Sequence, residues 1–494
     1  MPRRHMHVTD AAEAPLRAAL HDLRGQLEIP DHFPPTAQAE AESAARAPRI
    51  PAPDGAVVTE HTLEDATDLP LFTVDPPGSL DLDQAMFLSR RPGGGFRVHY
   101  AIADVASFVT PGGALDAEAH HRVATLYFPD ERVPLHPPAL SEGAASLLPD
   151  QDRPAVLWEL DLDDHGALTT TSVRRALVRS RARLDYAGVQ RVIDDGTAEE
   201  PLALLREIGL LREEQEVARG AISLNVPEQQ IVEHHGRYTL AYRAPLPADA
   251  WNAQISLLTG MAAAELMLAS GIGILRTLPI APDGSVARLR LTARALGVDW
   301  HHHTSYAALI RTLDPRRATH AAFLQECTTL LRGAGYTAFD GTPPDPSAAQ
   351  HAAVAAPYAH ATAPLRRLVD RYTSELCLAA SAGTAPADWV RGALAVLPHE
   401  METGTQRANR VERACVDLVE AAVLRDRVGE TFDALVVEVD QDDPTQGTVH
   451  LSDPAVIGPV ETTPDGPELP LGHRIPVRLT AADPGHALVR FTPA

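Results

Sequence analysis

The chain has 494 residues, of which 43 are basic and 66 acidic, giving a formal net charge of −23. That balance argues against a protein that coats nucleic acid without discrimination, because such a protein needs a broad positive surface. Every basic residue is arginine, which removes the P-loop lysine, the Schiff base and the lysyl-adenylate and leaves the planar guanidinium as the only permanent cation for phosphate.

Positive charge is concentrated in two places, Arg174, Arg175, Arg179, Arg181 and Arg183, and then Arg366, Arg367 and Arg371. Cys327, Cys377 and Cys415 have no paired spacing, so neither a disulfide framework nor a zinc ribbon is implied. Met1 to Asp10 is polar and no apolar run approaches the roughly 20 residues of a membrane span. A soluble, cytoplasmic protein with no membrane contact is expected.

In chain order, Asp10 can cap a helix in which Leu16, Leu20, Leu23 and Leu27 recur at helical spacing. Pro34-Pro35-Thr36 breaks the chain before a second, alanine-rich helix to about Ala45. Two helices and a turn permit a helix-turn-helix or a docking hairpin, and Pro48 to Pro53 reads as a linker.

Leu71 to Val74 reads as a strand, stopped by the turn chemistry of Pro76-Pro77-Gly78-Ser79. Asp75 therefore sits at a strand end. If Asp81-Leu82-Asp83 is extended, its two carboxylates share a face roughly 6.5 to 7 Å apart while Leu82 points into the core. Three acids on one lip repel each other, and a hard cation relieves that repulsion; a solvated acidic loop is the alternative. Met86 to Leu88 and Phe96 to Ala103 form a plausible hairpin across Gly93-Gly94-Gly95.

Further on, Pro201 to Arg219, Trp251 to Gly271 and Pro364 to Ser381 have helical periodicity. After Gly429 the pattern changes to short strands at Phe432 to Val439, Gly447 to Leu451, Ile475 to Leu479 and Ala487 to Phe491, which suits a small OB-type barrel. The expected fold class is α+β: a small helical module over 1–60, a large mixed domain over 61–428, and a barrel over 429–494. Asp299-Trp300-His301-His302-His303 reads as a polar loop, since adjacent histidines cannot all face one ion from a regular element. No nucleophile elbow is present.

Three stretches resemble the ribonuclease II (RNB) family of exoribonucleases in order and spacing. They are Asp75-x5-Asp81-x-Asp83; Leu126-Tyr127-Phe128-Pro129 with Leu140-Ser141 and Ser146-Leu147; and His360-Ala361-Thr362-Ala363-Pro364-Leu365-Arg366-Arg367. Arg183-Leu184-Asp185-Tyr186, Arg219-Gly220-Ala221 with Pro227-Glu228, and Arg410-Val411-Glu412-Arg413 add to the likeness. The C-terminal segment is similar to the S1-type RNA-binding barrel of that family.

The resemblance implies hydrolysis of single-stranded RNA from a free 3′ end, with release of nucleoside 5′-monophosphates; separately, a monomer whose helical module could admit structured RNA is expected. It implies magnesium, with manganese as a substitute, in a two-metal arrangement whose ions lie about 3.5 to 4 Å apart. Asp75, Asp81 and Asp83 match the metal-binding acids, with Asp83 the one on which activity most depends. Arg366 matches a clamp on the scissile phosphate and starts from an expected helix N-terminus, with an ion pair to Asp370 as the alternative. Glu412 matches a glutamate near the reacting phosphate, and Tyr127 a stacking platform for the terminal base. Arg183, Arg367 and Arg371 are candidates for RNA backbone contacts.

The departures are Gln84, where the family pattern has a second adjacent acid, and Gln254, where it usually has a glutamate. A glutamine at the metal site brings no charge, so weaker ion binding is expected. A catalytically impaired, RNA-binding member of the family is the alternative reading. The N-terminal 65 or so residues are too few and too helical for the two cold-shock barrels that family members commonly carry.

Overall fold

The computed structural model describes residues 14–51, 57–58 and 63–494, apart from 225, 227, 235–236, 441, 463–465 and 487. Asp10, the end of the 48–53 linker and Pro227 lie outside the described residues. Helix α1 (Ala14–Gln26) buries Leu16, Leu20 and Leu23, the residues whose spacing predicts it. Helix α2 (Pro35–Arg46) opens on a proline in its first turn, where the missing N–H costs nothing.

Both helices spend their apolar faces on the rest of the chain. Ala37 and Ala41 of α2 are fully buried, and Glu40 accepts from the backbone N–H groups of Ala114 and Leu115, both at 2.9 Å, capping helix α3 (Ala114–Arg122). The two helices thus dock separately, α1 in the cluster with α12 and the barrel and α2 in the cluster beneath the acidic lip, so their buried faces are not free to enter a groove.

The central sheet contains β1 (Leu71–Asp75), β2 (Gln84–Arg90), β3 (Phe96–Ala103), β6 (Asp152–Leu162) and β7 (Leu168–Asp185). Strands β4 (Leu126–Tyr127) and β5 (Arg132–Val133) form a separate short hairpin. Neighbours in the sheet run Glu64–Asp65, β7, β1, β2, β3, β6, and β7 also pairs with β6. The sheet therefore closes: β7 runs antiparallel to β6 along its first part and parallel to β1 along its last. Closure places Asp75 beside Asp185, whose carboxylate then caps helix α4 (Tyr186–Asp194) through Gly188 at 2.8 Å.

Helices α5 (Glu200–Arg219), α6 (Pro247–Ser270) and α10 (Leu368–Ala382) pack with this sheet in one core that includes Trp158, Tyr100, Trp251 and Tyr372. By length and composition α6 could cross a membrane, so the expectation that no run approaches that size is corrected; its apolar side chains are buried in the core instead. Helices α7 (Asp283–Ala295), α8 (Tyr306–Arg311) and α9 (Ala318–Cys327) form a satellite cluster that also takes in Leu435 and Val437. His301, His302 and His303 are exposed beside it.

Helix α11 (Asp388–Ala393) precedes α12 (Leu397–Leu424), a 28-residue helix leading to a closed five-stranded barrel. The barrel strands are Thr431–Val439, Gln446–Ser452, Ala455–Glu461, Arg474–Asp483 and Leu488–Pro493. The third was not legible beforehand, since Pro454, Gly458 and Pro459 mask its alternation.

Candidate functional site

The acidic stretch lies where β1 ends and β2 begins. Leu82 is fully buried, and it carries Asp83 inward with it, to 2% exposure. Leu82 N–H donates to Ser146 Oγ at 2.9 Å, and Ser146 Oγ donates to the Leu80 carbonyl at 2.6 Å, so the loop is pinned on both sides of Asp81. Asp83 accepts from Leu365 N–H at 2.7 Å and from Arg366 Nε at 2.8 Å. Asp81 is paired with Arg132, which also reaches Glu142 at 2.9 Å.

Burial pushes the Asp83 carboxyl up to about 7 against the pull of Arg366, and Asp81 pushes in the same direction as burial. Burial likewise pushes Asp75 up to about 6, with Arg366 and Arg183 opposing and Asp81 adding to it. Three hard oxygen donors, two of them held against ionisation by burial beside Asp81, form a donor set that fits a divalent cation. Among the described residues, however, no three such side chains already converge on a common point. Arg366 and Arg132 supply the counter-charge instead.

A 510 Å³ cavity adjoins this lip. Tyr127, Arg366, Arg367 and Glu412 all line it, so four of the residues picked out by resemblance are brought together. Arg366, whose side chain is 38% exposed, is the link: it faces the cavity and touches Asp83. Met401, Gly404, Thr405, Ala408, Asn409 and Glu412 form one face of α12 along the wall, at helical spacing.

Other expectations are corrected. Arg366 does not start from a helix N-terminus: α10 begins at Leu368, because Arg367 is extended beside Ala124, with the Arg366 carbonyl accepting from Thr125 N–H and Leu368 N–H donating to the Val123 carbonyl. It is Arg367, not Arg366, that pairs with Asp370, at 2.7 and 2.8 Å. Arg371 is 2% exposed and paired with Asp116, so it is a core residue and not placed to meet an RNA backbone. Arg183 is exposed but donates to the Ser79 carbonyl at 3.2 Å, bracing the turn before the acids.

Gln84 differs most from expectation. Its Nε2 donates to the Thr362 carbonyl at 2.5 Å and its Oε1 accepts from the Tyr100 hydroxyl at 2.8 Å. Both ends of the amide are committed to protein, so it does not stand as a metal ligand here. Gln254 is 4% exposed and donates to Glu216 on α5 at 2.6 Å, so it does not join Gln84 at the lip.

Sequence reasoning missed a basic and aromatic wall. Arg276 and Tyr336 are register partners on the two-stranded ribbon β8 (Ile272–Thr277) and β9 (Gly335–Asp340), with the guanidinium 4.6 Å from the ring centre. The Tyr336 hydroxyl and His360 Nδ1 are 2.7 Å apart. Arg332 and His351 complete that side of the cavity. His360 opens the stretch already singled out; the others come from elements paired across 60 residues, with no local signal.

Comparison with known proteins agrees with this architecture. Residues 63–381 match the RNB domain, and residues 430–494 match the RNase II-type exonuclease C-terminal S1 domain. The chain is 30% identical over 344 residues to the Arabidopsis thaliana exosome complex exonuclease RRP44 homolog A, covering 66% of this chain and 36% of that protein. It is 27% identical over 402 residues to Ribonuclease R of Escherichia coli, covering 76% of this chain and 48% of that protein. The chain thus spans between about a third and a half of the length of these curated relatives. The apo form of Mycoplasma genitalium RNase R superposes with a TM-score of 0.82 at 20% identity, over 97% of this chain and 78% of that one, a likeness of fold. With an RNB match over the closed sheet and its acidic lip, and an S1 match over the barrel, the chain belongs to the RNB-domain family of ribonucleases.

Proposed function

We propose that the protein is a hydrolytic 3′-to-5′ exoribonuclease that shortens single-stranded RNA and releases nucleoside 5′-monophosphates. The observation that carries this reading is the Asp83–Arg366 contact at 2.8 Å, at the edge of a cavity shared with Tyr127 and Glu412. Asp75, Asp81 and Asp83 would hold magnesium, or manganese in its place. The ion would supply Lewis-acid stabilisation of the charge that develops on the phosphate.

The chain's own residues do the rest. Arg366 has its Nε on Asp83 and its guanidinium facing the cavity, which suits it to bridge the lip and a phosphate group. Arg367, held by Asp370, adds positive charge to the same wall. Tyr127 offers a π-face that any base can stack on, worth about 1–3 kcal/mol per base. Glu412 faces the same space from α12.

A second reading, an RNA-binding member without turnover, is favoured by the neutral Gln84 and by the arginines already paired with Asp81 and Asp83. Incubation with 5′-labelled poly(A) and magnesium separates the two. Stepwise shortening with mononucleotide release supports the enzyme, whereas retarded but intact RNA supports the binder.

A further inference from the structure

The β4–β5 hairpin carries Tyr127 into the cavity on one face and Phe128 away from it on the other. Phe128 packs in one apolar cluster with Leu16, Leu20 and Leu23 of α1. The hairpin tip is then fastened by a single α1 side chain. Arg24, 8% exposed, donates to Asp130 from Nη1 at 2.9 and 3.2 Å and from Nη2 at 3.3 Å. Its Nε lies 3.0 Å from Glu131, and its guanidinium lies 5.2 Å from the Phe128 ring centre.

The other strand of the hairpin is tied to the acidic lip, since Arg132 pairs with Asp81. Tyr127 and Arg132 are register partners, and the Arg132–Asp81 pair anchors the lip end of the hairpin, so a shift of the tip is taken up at the stacking face. The same α1 cluster includes Val411 and Cys415, which flank Glu412 on α12. Beyond α1, the His32 carbonyl accepts from Arg122 Nη2 at 2.7 Å, and the Phe33 ring lies 3.8 Å from that guanidinium. The N-terminal module is therefore the outer wall behind one side of the cavity.

We propose that Arg24 is a positioning residue for Tyr127, so that the N-terminal helical module sets the length at which RNA shortening stops instead of gripping RNA itself. The inference rests on the stacking role given to Tyr127 above. Its chemistry is that of a buckle. Five-donor arginine holds two adjacent carboxylates and a ring at once, which fixes the tip where a monodentate cation would leave it free to rotate.

The test is the end-product ladder of 5′-labelled poly(A) with Arg24→Gln, Glu131→Gln and the charge swap Arg24→Asp with Asp130→Arg. Arg24→Gln is expected to lengthen the final product by a nucleotide or more while kcat on long RNA stays within about twofold of wild type. The swap, which rebuilds one of the two carboxylate contacts, is expected to bring the ladder part of the way back to wild type. If Arg24→Gln does not fold, Glu131→Gln, which removes a half-exposed partner, gives the same readout in smaller degree. A wild-type ladder in a folded Arg24 or Glu131 variant overturns the proposal, as does a lengthened product that the swap fails to shorten. Tyr127→Ala is the reference. If its ladder is unchanged, the stacking role falls and this inference with it; if it shifts while the Arg24 and Glu131 ladders do not, this inference alone falls.

Discussion

Gln84 and Thr362 are joined by a side-chain-to-backbone hydrogen bond of 2.5 Å across 278 residues of sequence. Thr362 is also 2.6 Å from Ser256 through its hydroxyl, so the start of the segment bearing Arg366 is held by the sheet and by α6 together. The neutral residue at position 84 is therefore a structural bridge: an amide can face a carbonyl and accept a tyrosine hydroxyl at once, and a carboxylate cannot.

Gln84→Glu should accordingly destabilise the metal-free protein by roughly 1–3 kcal/mol, because a carboxylate would face the Thr362 carbonyl with no proton to donate. Added magnesium should recover part of that loss and lower the magnesium midpoint of activity. Thermal unfolding with and without magnesium checks both. A variant as stable as wild type without metal would show that the bridge holds nothing.

Arg366→Ala should reduce kcat by about 100- to 1000-fold with little change in RNA affinity, the pattern of an interaction made in the transition state. Its structural consequence runs the same way, since Asp83 would keep only the Leu365 N–H as a partner at 2% exposure. Single-turnover rates and a binding isotherm on the same RNA separate the two quantities. Equal losses in both would assign Arg366 to ground-state binding.

Much of this was legible because the signals were local. Leu71 to Val74 and the turn after it fix β1 and the lip, and the spacing of apolar residues fixes α1, α5 and α6 to within a few residues. The arginine clusters misled because their partners are remote. Arg174 meets Glu64, Arg175 meets Asp104 and Glu375, and Arg179 meets Asp152, so a stretch that looks like a nucleic-acid surface is largely neutralised. Arg371 is the same case inside the core. The start of α10 slipped for a related reason, since remote backbone pairing of Arg366, Arg367 and Leu368 with Val123, Ala124 and Thr125 breaks the helix whose first turn Pro364 marks in the sequence.

His136 supplies a pH dependence near the site, because it lies beneath Pro364 at 2% exposure. Burial pushes its imidazole down to about 3, with Arg371 acting in the same direction. Below the ordinary histidine value near 6.5 the unfolded chain takes up a proton that the folded one refuses, so stability falls as pH drops from there towards about 3. At pH 5 the loss should be about 2 kcal/mol relative to pH 7. Denaturant unfolding of wild type and His136→Gln at the two pH values measures it, and parallel losses in both proteins would assign the effect to other groups.

The barrel is held against the satellite helices by a contact only glycine permits. Gly472 has φ of +78°, and a Cβ there would stand 1.9 Å from the Ala295 carbonyl oxygen at the end of α7. Its N–H donates to Val436 at 2.8 Å, so the residue cannot retreat without breaking the edge of the barrel. Gly472→Ala combines a left-handed backbone with overpacking and should cost about 2–4 kcal/mol, or release the barrel from α7. These two outcomes differ. A lowered single unfolding midpoint marks strain within one cooperative unit, whereas a new early transition, with weaker RNA binding and an unchanged turnover rate, marks a barrel that has come away. An unchanged midpoint with unchanged RNA affinity would mean that the Ala295 contact fixes nothing, and the docking would then rest on other contacts, among them Leu435, Val437 and the Arg288–Glu438 pair.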